Sequence, residues 1–375
     1  MKLEFQEYQA RKIVNVHKHV DGPWFWGKYS AHPYIGCRSG CKFCYQRGGR
    51  YAGRRDPGRY DTLIQVKTNA VELLRKELSC LPFDIIACGD WQQPAEDRYQ
   101  LSRRMLEVIL EKGFPLFIVE RSPLLTRDLD LLVEIKQRAG AVIAFSISST
   151  DPVLKQAFEP CSSGVKRRLQ AMEILANAGI LVGTTFMPII PVVGDDEKHL
   201  EDVIIATKAH GGSFILSGGM TMQGFQAELT LAAARQIDPA LEDSWRKFYR
   251  WQPGGKPSLP PGPYNANLGL MVRELCTRHG LLDRIPRPII PGPLAVNKRI
   301  SERLFLKTYD LELEQAGNYR IWAYRKAAWA LDELNESVAE VYNARGEIGL
   351  QEFPAIGKSI AKEIAKWLQE DVAKE

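Results

Sequence analysis

A chain of 375 residues is too long for one small core, so two or three domains are expected. Apolar residues make up 45% and charged residues 25%, which is ordinary for a soluble globular protein. No run approaches the roughly 20 consecutive apolar residues of a membrane-spanning helix. The net charge of +5 permits a polyanionic partner without requiring one, and MKLEFQEYQARKIVNV has no apolar signal-peptide core, so the expected location is the cytoplasm.

Residues 1–32 read as an N-terminal extension. GCRSGCKFCY then sets Cys37, Cys41 and Cys44 at C-x3-C-x2-C, three of the seven cysteines in the chain. Such a triplet arises by accident with odds of roughly one in 400, and a disulfide framework is not expected in a reducing compartment. Three thiolates on one tight, Gly-containing loop suit a metal or a cluster. A structural zinc wants four ligands, usually as two separated pairs, and no second pair exists; His32 is the available fourth ligand, at an unusual spacing. An iron–sulfur cluster held by three cysteines keeps one iron open, and that open iron is where a cofactor can bind. Just beyond, Arg47, Arg50, Arg54, Arg55 and Arg59 crowd one Gly-containing stretch, either a solvated loop or a phosphate contact.

From about residue 84 to 220, short apolar runs alternate with amphipathic stretches. DIIACGD, PLFIVER, AVIAFSIS, ILVGTTFMPII and SFILSG read as buried strands. Between them, Val165, Leu169, Met172, Leu175 and Ala176 recur at helical spacing until Gly179. Repeated β–α units imply a parallel sheet covered by helices, as a barrel or an open sheet. WQPGGKPSLPPGPYN and IPRPIIPGPL are Pro/Gly-rich crossings, with helices expected over NLGLMVRELCTRHGLL and ISERLFLKTYDLELEQAG. Residues 236–315 therefore read as helical packing and a tether. From about 316 the chain is strongly helical and carries eight Lys/Arg against ten Asp/Glu, leaving +7 on residues 1–315.

The cysteine spacing, with an aromatic before the last cysteine, resembles the signature of the radical S-adenosylmethionine (SAM) superfamily. PYIGCRSGCKFCY, GDWQQPAE, SPLLTRDLDLL, SISSTDPVLKQAFEP with Arg168, and AGILVGTTFMPIIP resemble its spore photoproduct lyase-like branch, the DNA repair photolyases. That resemblance implies a partial (β/α)6 barrel over residues 33–235, with Cys37, Cys41 and Cys44 holding a 4Fe–4S cluster. It also implies SAM as cofactor, cleaved to a 5′-deoxyadenosyl radical, and a flavodoxin- or ferredoxin-type electron donor. Functional residues of parallel barrels sit at the C-terminal strand ends. On the resemblance, Gly89, Asp90 and Gln93 would meet the SAM amino group, although a plain strand-end turn is the competing reading. Arg121 stands where the branch commonly has Lys and would meet the SAM carboxylate, the Lys-to-Arg exchange leaving that contact open. Ser146 and Ser148 would reach the ribose. Glu159 and Arg168 would pair near the methionine end, or form a purely structural ion pair. Pro188 and Ile190 would line the adenine pocket or simply pack, and Tyr45 closes the cofactor-binding set. Cys88 sits where spore photoproduct lyase returns a hydrogen atom to its product radical; burial as a plain core thiol is the alternative. Cys80, Cys161 and Cys276 have no partner spacing and read as packed.

GNYRIWAYRKAAWALDEL and LQEFPAIGKSIAKEIAKWLQE together resemble the N-terminal domain of family X DNA polymerases, a small all-α helix-hairpin-helix domain over residues 316–368. The expected hairpin turn is Pro354–Gly357, with Lys358 and Ser359 opening the next helix and presenting backbone N–H groups to a phosphate. Glu363 occupies the position of the family's Schiff-base lysine, so DNA binding rather than lyase chemistry is implied. Gly357, Lys358 and Ser359, with Arg50, Arg54 and Arg55, are the nucleic-acid candidates. A helical bundle for protein contacts is the competing reading. The function implied for the whole chain is radical SAM repair or modification of DNA bases; alternatives are an RNA- or protein-modifying radical SAM enzyme and a DNA-bound redox sensor.

Overall fold

The computed structural model describes residues 2–22, 24–48, 56–256, 258–289 and 291–372. Arg50, Arg54 and Arg55 lie outside the described residues. Contacts divide the chain into one unit of Met1–His17 with Gly27–Ile285, and another of Lys18–Trp26 with Pro286–Glu375. No helix among the described residues is long and apolar enough to cross a membrane.

The first unit holds two sheets. In the smaller, β1 (Glu4–Tyr8) pairs in parallel with β5 (Leu63–Lys67), which pairs antiparallel with β4 (Tyr34–Ile35). In the larger, β3 (Tyr29–Ala31), β6 (Ile86–Gly89), β7 (Leu116–Glu120), β8 (Ala141–Ser146), β9 (Leu181–Ile189) and β10 (Phe214–Gly219) lie parallel in chain order, and β2 (Val14–Val16) adds an antiparallel edge. The edges are β10 and β2, so six parallel strands curl into part of a barrel without closing. All five strands expected from the apolar runs are present. The N-terminal segment, expected as a separate extension, supplies β1–β3 to these sheets instead.

Helices α1 (Ala70–Leu78), α2 (Leu101–Lys112), α3 (Leu129–Arg138), α4 (Pro152–Phe158), α5 (Val165–Asn177) and α6 (Glu197–Ala209) connect the strands. In α2, Leu101, Met105, Leu106, Val108 and Ile109 form one buried face, each side chain contributing about 1.5–3 kcal/mol of apolar burial. Gly113 (φ +71°) ends it, its N–H donating to the Ile109 and Leu110 carbonyls before the chain enters β7. Ile86, Cys88, Ile118 and Ile143 share the helix-facing core, whereas Val142, Ala144 and Ser146 project from the opposite face of β8. Then come α7 (Gly224–Ile237), α8 (Ala240–Tyr249) and α9 (Gly262–Arg278).

The second unit contains α10 (Ala295–Leu313), α11 (Asn318–Asp332), α12 (Val338–Gln351) and α13 (Lys358–Val372). Residues 295–313, expected to belong to a tether, are integral to it. Buried Asp332 accepts from Arg287 (2.5 Å), Ser301 (2.9 Å) and Lys298 (3.2 Å), while Asn297 bonds the Glu336 carbonyl and the Val338 N–H. The expected domain boundary near 316 therefore moves to 285/286, because apolar packing and these buried polar groups tie α10 to α11. At the place of the expected hairpin, α12 ends at Gln351, a turn follows, and Lys358 opens α13. Its left-handed residue is Ala355 (φ +62°) rather than Gly357, beside which a Cβ would meet nothing within 4 Å.

Candidate active site

β4 leads into Gly36, whose φ of +98° reverses the chain. A Cβ there would fall 2.6 Å from the Leu63 carbonyl oxygen, so only glycine fits. The Cys37 N–H donates to the Tyr60 carbonyl (3.0 Å), and Gly40 (φ +64°) makes the second reversal. The Lys42 N–H donates to the Phe158 carbonyl (2.8 Å), and Thr230 Oγ1 donates to the Lys42 carbonyl (3.1 Å). Both ends of the loop are thus pinned, with Cys37 and Cys41 buried and Cys44 half-buried. Buried Arg47 holds the far side, donating to the Pro57 carbonyl (3.3 Å), pairing with Asp61 (3.2 Å) and lying 5.6 Å over the Tyr60 ring.

Burial pushes the Cys41 thiol up to about 11 against the opposing pull of Arg121, and burial with neighbouring negative charge pushes the Cys44 thiol up to about 12 and the Cys37 thiol well above its usual range. Three such thiols become thiolates only against a compensating cation, which is the donor chemistry of a bound metal cluster. Among the described residues no three His, Cys, Asp or Glu groups converge as a ready site for a single ion. Three thiols on one loop suit a four-iron cluster, which spans several atoms. His32, the possible fourth zinc ligand, has Nδ1 3.3 Å from the Gly89 carbonyl, and burial lowers its pKa.

The turn after β6 packs against this loop. Asp90 (φ +57°) accepts from the Cys37 thiol at 3.5 Å, and Gln93 Nε2 donates to the Gly36 (3.2 Å) and Asp90 (3.1 Å) carbonyls. The Gln93 Oε1 atom is buried without a hydrogen-bond partner, so a donor group from a cofactor would find an acceptor beside the cysteine loop. Glu120, at the end of β7, organises the turn: it accepts from the Trp91 (2.7 Å), Gln92 (3.0 Å) and Arg121 (3.3 Å) N–H groups. Burial, then Asp90, raises its carboxyl to about 8.

On the far side of the loop, Arg121 pairs with Glu159 at 2.8 Å and sits 5.4 Å over the Phe43 ring. Glu159 is shared: its other oxygen meets Arg168 at 2.5 Å and the Ser162 hydroxyl at 3.0 Å. Burial opposes ionisation, yet the two guanidiniums hold the Glu159 carboxyl at about 2. Arg168, wholly buried, also donates to the Ser146 (2.6 Å) and Ser163 (2.7 Å) carbonyls. The expected Glu159–Arg168 pair is therefore present, and Arg121 joins it. Ser148 Oγ donates to the Met187 carbonyl at 3.4 Å, and Thr185, cross-strand from Ser146, has a buried hydroxyl with no partner. Pro188 is half-buried, and Ile190 is buried in the same hydrophobic cluster as Cys41 and Phe43.

Not every candidate joins this constellation. Cys88 lies on the helix-facing side of β6 with Ile86 and Ile118, in the hydrophobic core, and burial pushes its thiol far up. Period-two alternation, which sets Cys88 and Gly89 on opposite faces, is the signal that separates it from the rim. Tyr45 has an exposed ring and contributes its carbonyl to Gln223 (3.0 Å). Sequence reasoning missed Glu120 and Thr185, and it read Arg47 as part of a solvated or phosphate-contacting stretch, whereas Arg47 is buried and paired with Asp61. It also missed that Cys161, though exposed, stands beside the loop, its Sγ 3.6 Å from where a Gly40 Cβ would be. A charged residue closing an apolar strand was the available sign for Glu120; Cys161 has no local pattern at all.

Residues 32–204 match the family model of the radical SAM superfamily, whose members use a 4Fe–4S cluster and SAM as cofactors. An uncharacterised protein of Mycobacterium tuberculosis is 28% identical over 268 residues, spanning 70% of this chain and 77% of its own. An uncharacterised protein of Methanocaldococcus jannaschii is 29% identical over 248 residues, spanning 66% and 86%. Among solved structures, a spore photoproduct lyase variant aligns with a TM-score of 0.58 at 16% identity, over 75% of this chain and 82% of that one. A further variant, with bound AdoMet and dinucleoside spore photoproduct, gives 0.56 at 16% identity, over 76% and 82%. These likenesses establish a shared fold.

Proposed function

We propose that this radical SAM domain carries its cluster on Cys37, Cys41 and Cys44 and acts on bases in DNA, by repair or modification of the kind spore photoproduct lyase performs. The observation that carries the reading is one pinned loop of three charge-starved thiols, flanked by the Glu120-organised turn and the Arg121–Glu159–Arg168 network. Held there, a 4Fe–4S cluster would supply the one-electron reduction that cleaves SAM, drawing on a flavodoxin- or ferredoxin-type donor.

The chain's own residues bind and orient. Gly89 keeps the strand end bare, since a Cβ there would lie 3.0 Å from the Val119 carbonyl oxygen, and Asp90 and Gln93 offer acceptors to an amino group. Arg121 offers its guanidinium to a carboxylate, held in place by Glu159, which is in turn held by Arg168. Ser146 and Ser148 serve the ribose, and Pro188 and Tyr45 border the nucleoside. A lesion must leave the base stack before such a site can reach it. Gly357, Lys358 and Ser359, exposed at the start of α13, would hold backbone phosphate, giving sequence-independent binding that weakens with salt.

The test is anaerobic SAM cleavage by reconstituted, reduced protein, read as 5′-deoxyadenosine without DNA, with intact DNA and with ultraviolet-irradiated DNA. Stimulation by irradiated DNA alone supports repair, and equal stimulation by intact DNA supports base modification. Stimulation by RNA or a protein instead would move the substrate class. No cleavage and no SAM binding on any of them would leave only a DNA-bound redox sensor.

A further inference from the structure

The second unit displays an aromatic surface that neither its core nor the hairpin uses. Along α11, Ile321, Tyr324, Ala327, Ala328 and Leu331 are buried. The other side begins with Tyr319, 91% exposed, and Trp322, 45% exposed, three residues apart and therefore neighbours on one face. The series continues to Trp329, edge-on to Trp322 at 6.1 Å, stacked on His19 at 4.4 Å and donating Nε1 to the Val20 carbonyl. Trp329 is thus anchored, while Tyr319 and much of Trp322 remain open to solvent. Large rings left this exposed in adjacent turns are unusual for a surface with no partner.

Charge indicates which partner fits. Residues 316–375 are acidic overall, yet α11 carries Arg320, Arg325 and Lys326 against one acid, Asp332, which is buried and paired with Arg287. The Arg325 guanidinium lies 5.1 Å over the Trp322 ring and also pairs with Glu312; Arg320 and Lys326 are exposed. Flat rings interleaved with cations match an anionic backbone bearing flat bases, and base–aromatic stacking is indifferent to base identity.

We propose that the Tyr319–Trp322 face of α11 is a stacking platform for unpaired nucleobases, which would favour single-stranded or locally opened DNA. This rests on the reading that the second unit meets DNA, and adds a contact separate from the phosphate-holding hairpin. Unpaired bases offer a π-face that a closed duplex keeps stacked inside, so the platform and the hairpin make different predictions.

The full chain would be titrated with a fluorescently labelled oligo-dT single strand and with a duplex of equal length, at one fixed salt concentration. Trp322→Ala and Tyr319→Ala should each weaken single-strand binding by about 5- to 100-fold. Duplex binding should change by less than about twofold, and Trp322→Phe should retain most of the single-strand affinity. Lys358→Glu, in the hairpin, should weaken both ligands alike. If the Tyr319→Ala/Trp322→Ala double variant, with an unchanged melting temperature, binds single strands as wild type does while Lys358→Glu does not, the platform is overturned and the hairpin reading survives. If the aromatic changes alone matter, the hairpin reading falls and the platform stands. If neither ligand binds wild type, both fall. If the aromatic changes instead alter the sedimentation-derived oligomeric state and leave DNA affinity alone, the face is a protein interface and the proposal is overturned.

Discussion

Removing Arg168 tests whether the network behind the cysteine loop is a structural keystone. Arg168→Met keeps an apolar stem of similar length but leaves Glu159, 2% exposed, with Arg121 and Ser162 alone, and strips donors from the Ser146 and Ser163 carbonyls. Breaking a buried ion pair from one side costs about 3–5 kcal/mol, because a charge stays behind without its partner. At about 2–4 °C per kcal/mol for a domain of this size, the first unit should melt roughly 10 °C lower. Calorimetry of the cluster-free protein under reducing conditions reads this directly, with Arg121→Met as the comparison, expected to cost less because Arg168 still covers Glu159. The Glu159→Gln/Arg168→Met double variant should recover part of the loss, since no buried charge is stranded. A melting temperature for Arg168→Met within 2 °C of wild type would refute the account.

Three further outcomes follow from the same geometry. Gly36→Ala puts a methyl group 2.6 Å from the Leu63 carbonyl oxygen at φ +98°, so iron and sulfide retained after reconstitution should fall several-fold, as chemical analysis would show. Glu120→Ala leaves the Trp91, Gln92 and Arg121 N–H groups without their acceptor and should cost about 3 kcal/mol while weakening SAM binding by calorimetric titration; Glu120→Gln, which keeps one acceptor oxygen, should be milder. The third outcome concerns pH. Burial would raise the Asp332 carboxyl, but Arg287 and Lys298 bring it below its ordinary value. A depressed folded pKa adds stability above the unfolded value of about 3.9, and that stability is lost as pH falls through the folded pKa. Denaturant melts of the second unit should therefore weaken below about pH 4, and Asp332→Asn should flatten that acid limb while lowering stability at pH 7.

Local pattern carried a large share of this molecule. The apolar runs mark β6 to β10 because parallel strands are buried on both faces and need unbroken apolar stretches. The turn before α13 was legible for a similar reason, since turn chemistry and the helix start that follows are local. β1 to β3 were not legible. They are short and partly exposed, and they exist because β5 and β6 offer edges to pair with, a condition set by residues far along the chain. The tether assigned to residues 236–315 failed at α10 for the same reason, its attachment being to Asp332 and Glu336.

The candidate site divides along the same line. The sequence by itself determined the three-cysteine loop, because residues on one loop must be close in the chain, and it determined the set of polar residues at strand ends, because alternation and strand length are local properties. Only the tertiary structure decided which of those residues cooperate. It drew Arg121, Glu159 and Arg168 into one charge network, put Glu120 beneath the turn at Trp91, and turned Cys88 into the helix-facing core one residue from the rim. Those outcomes depend on register between strands and on burial, where a charge persists only if its partner arrives from elsewhere in the chain.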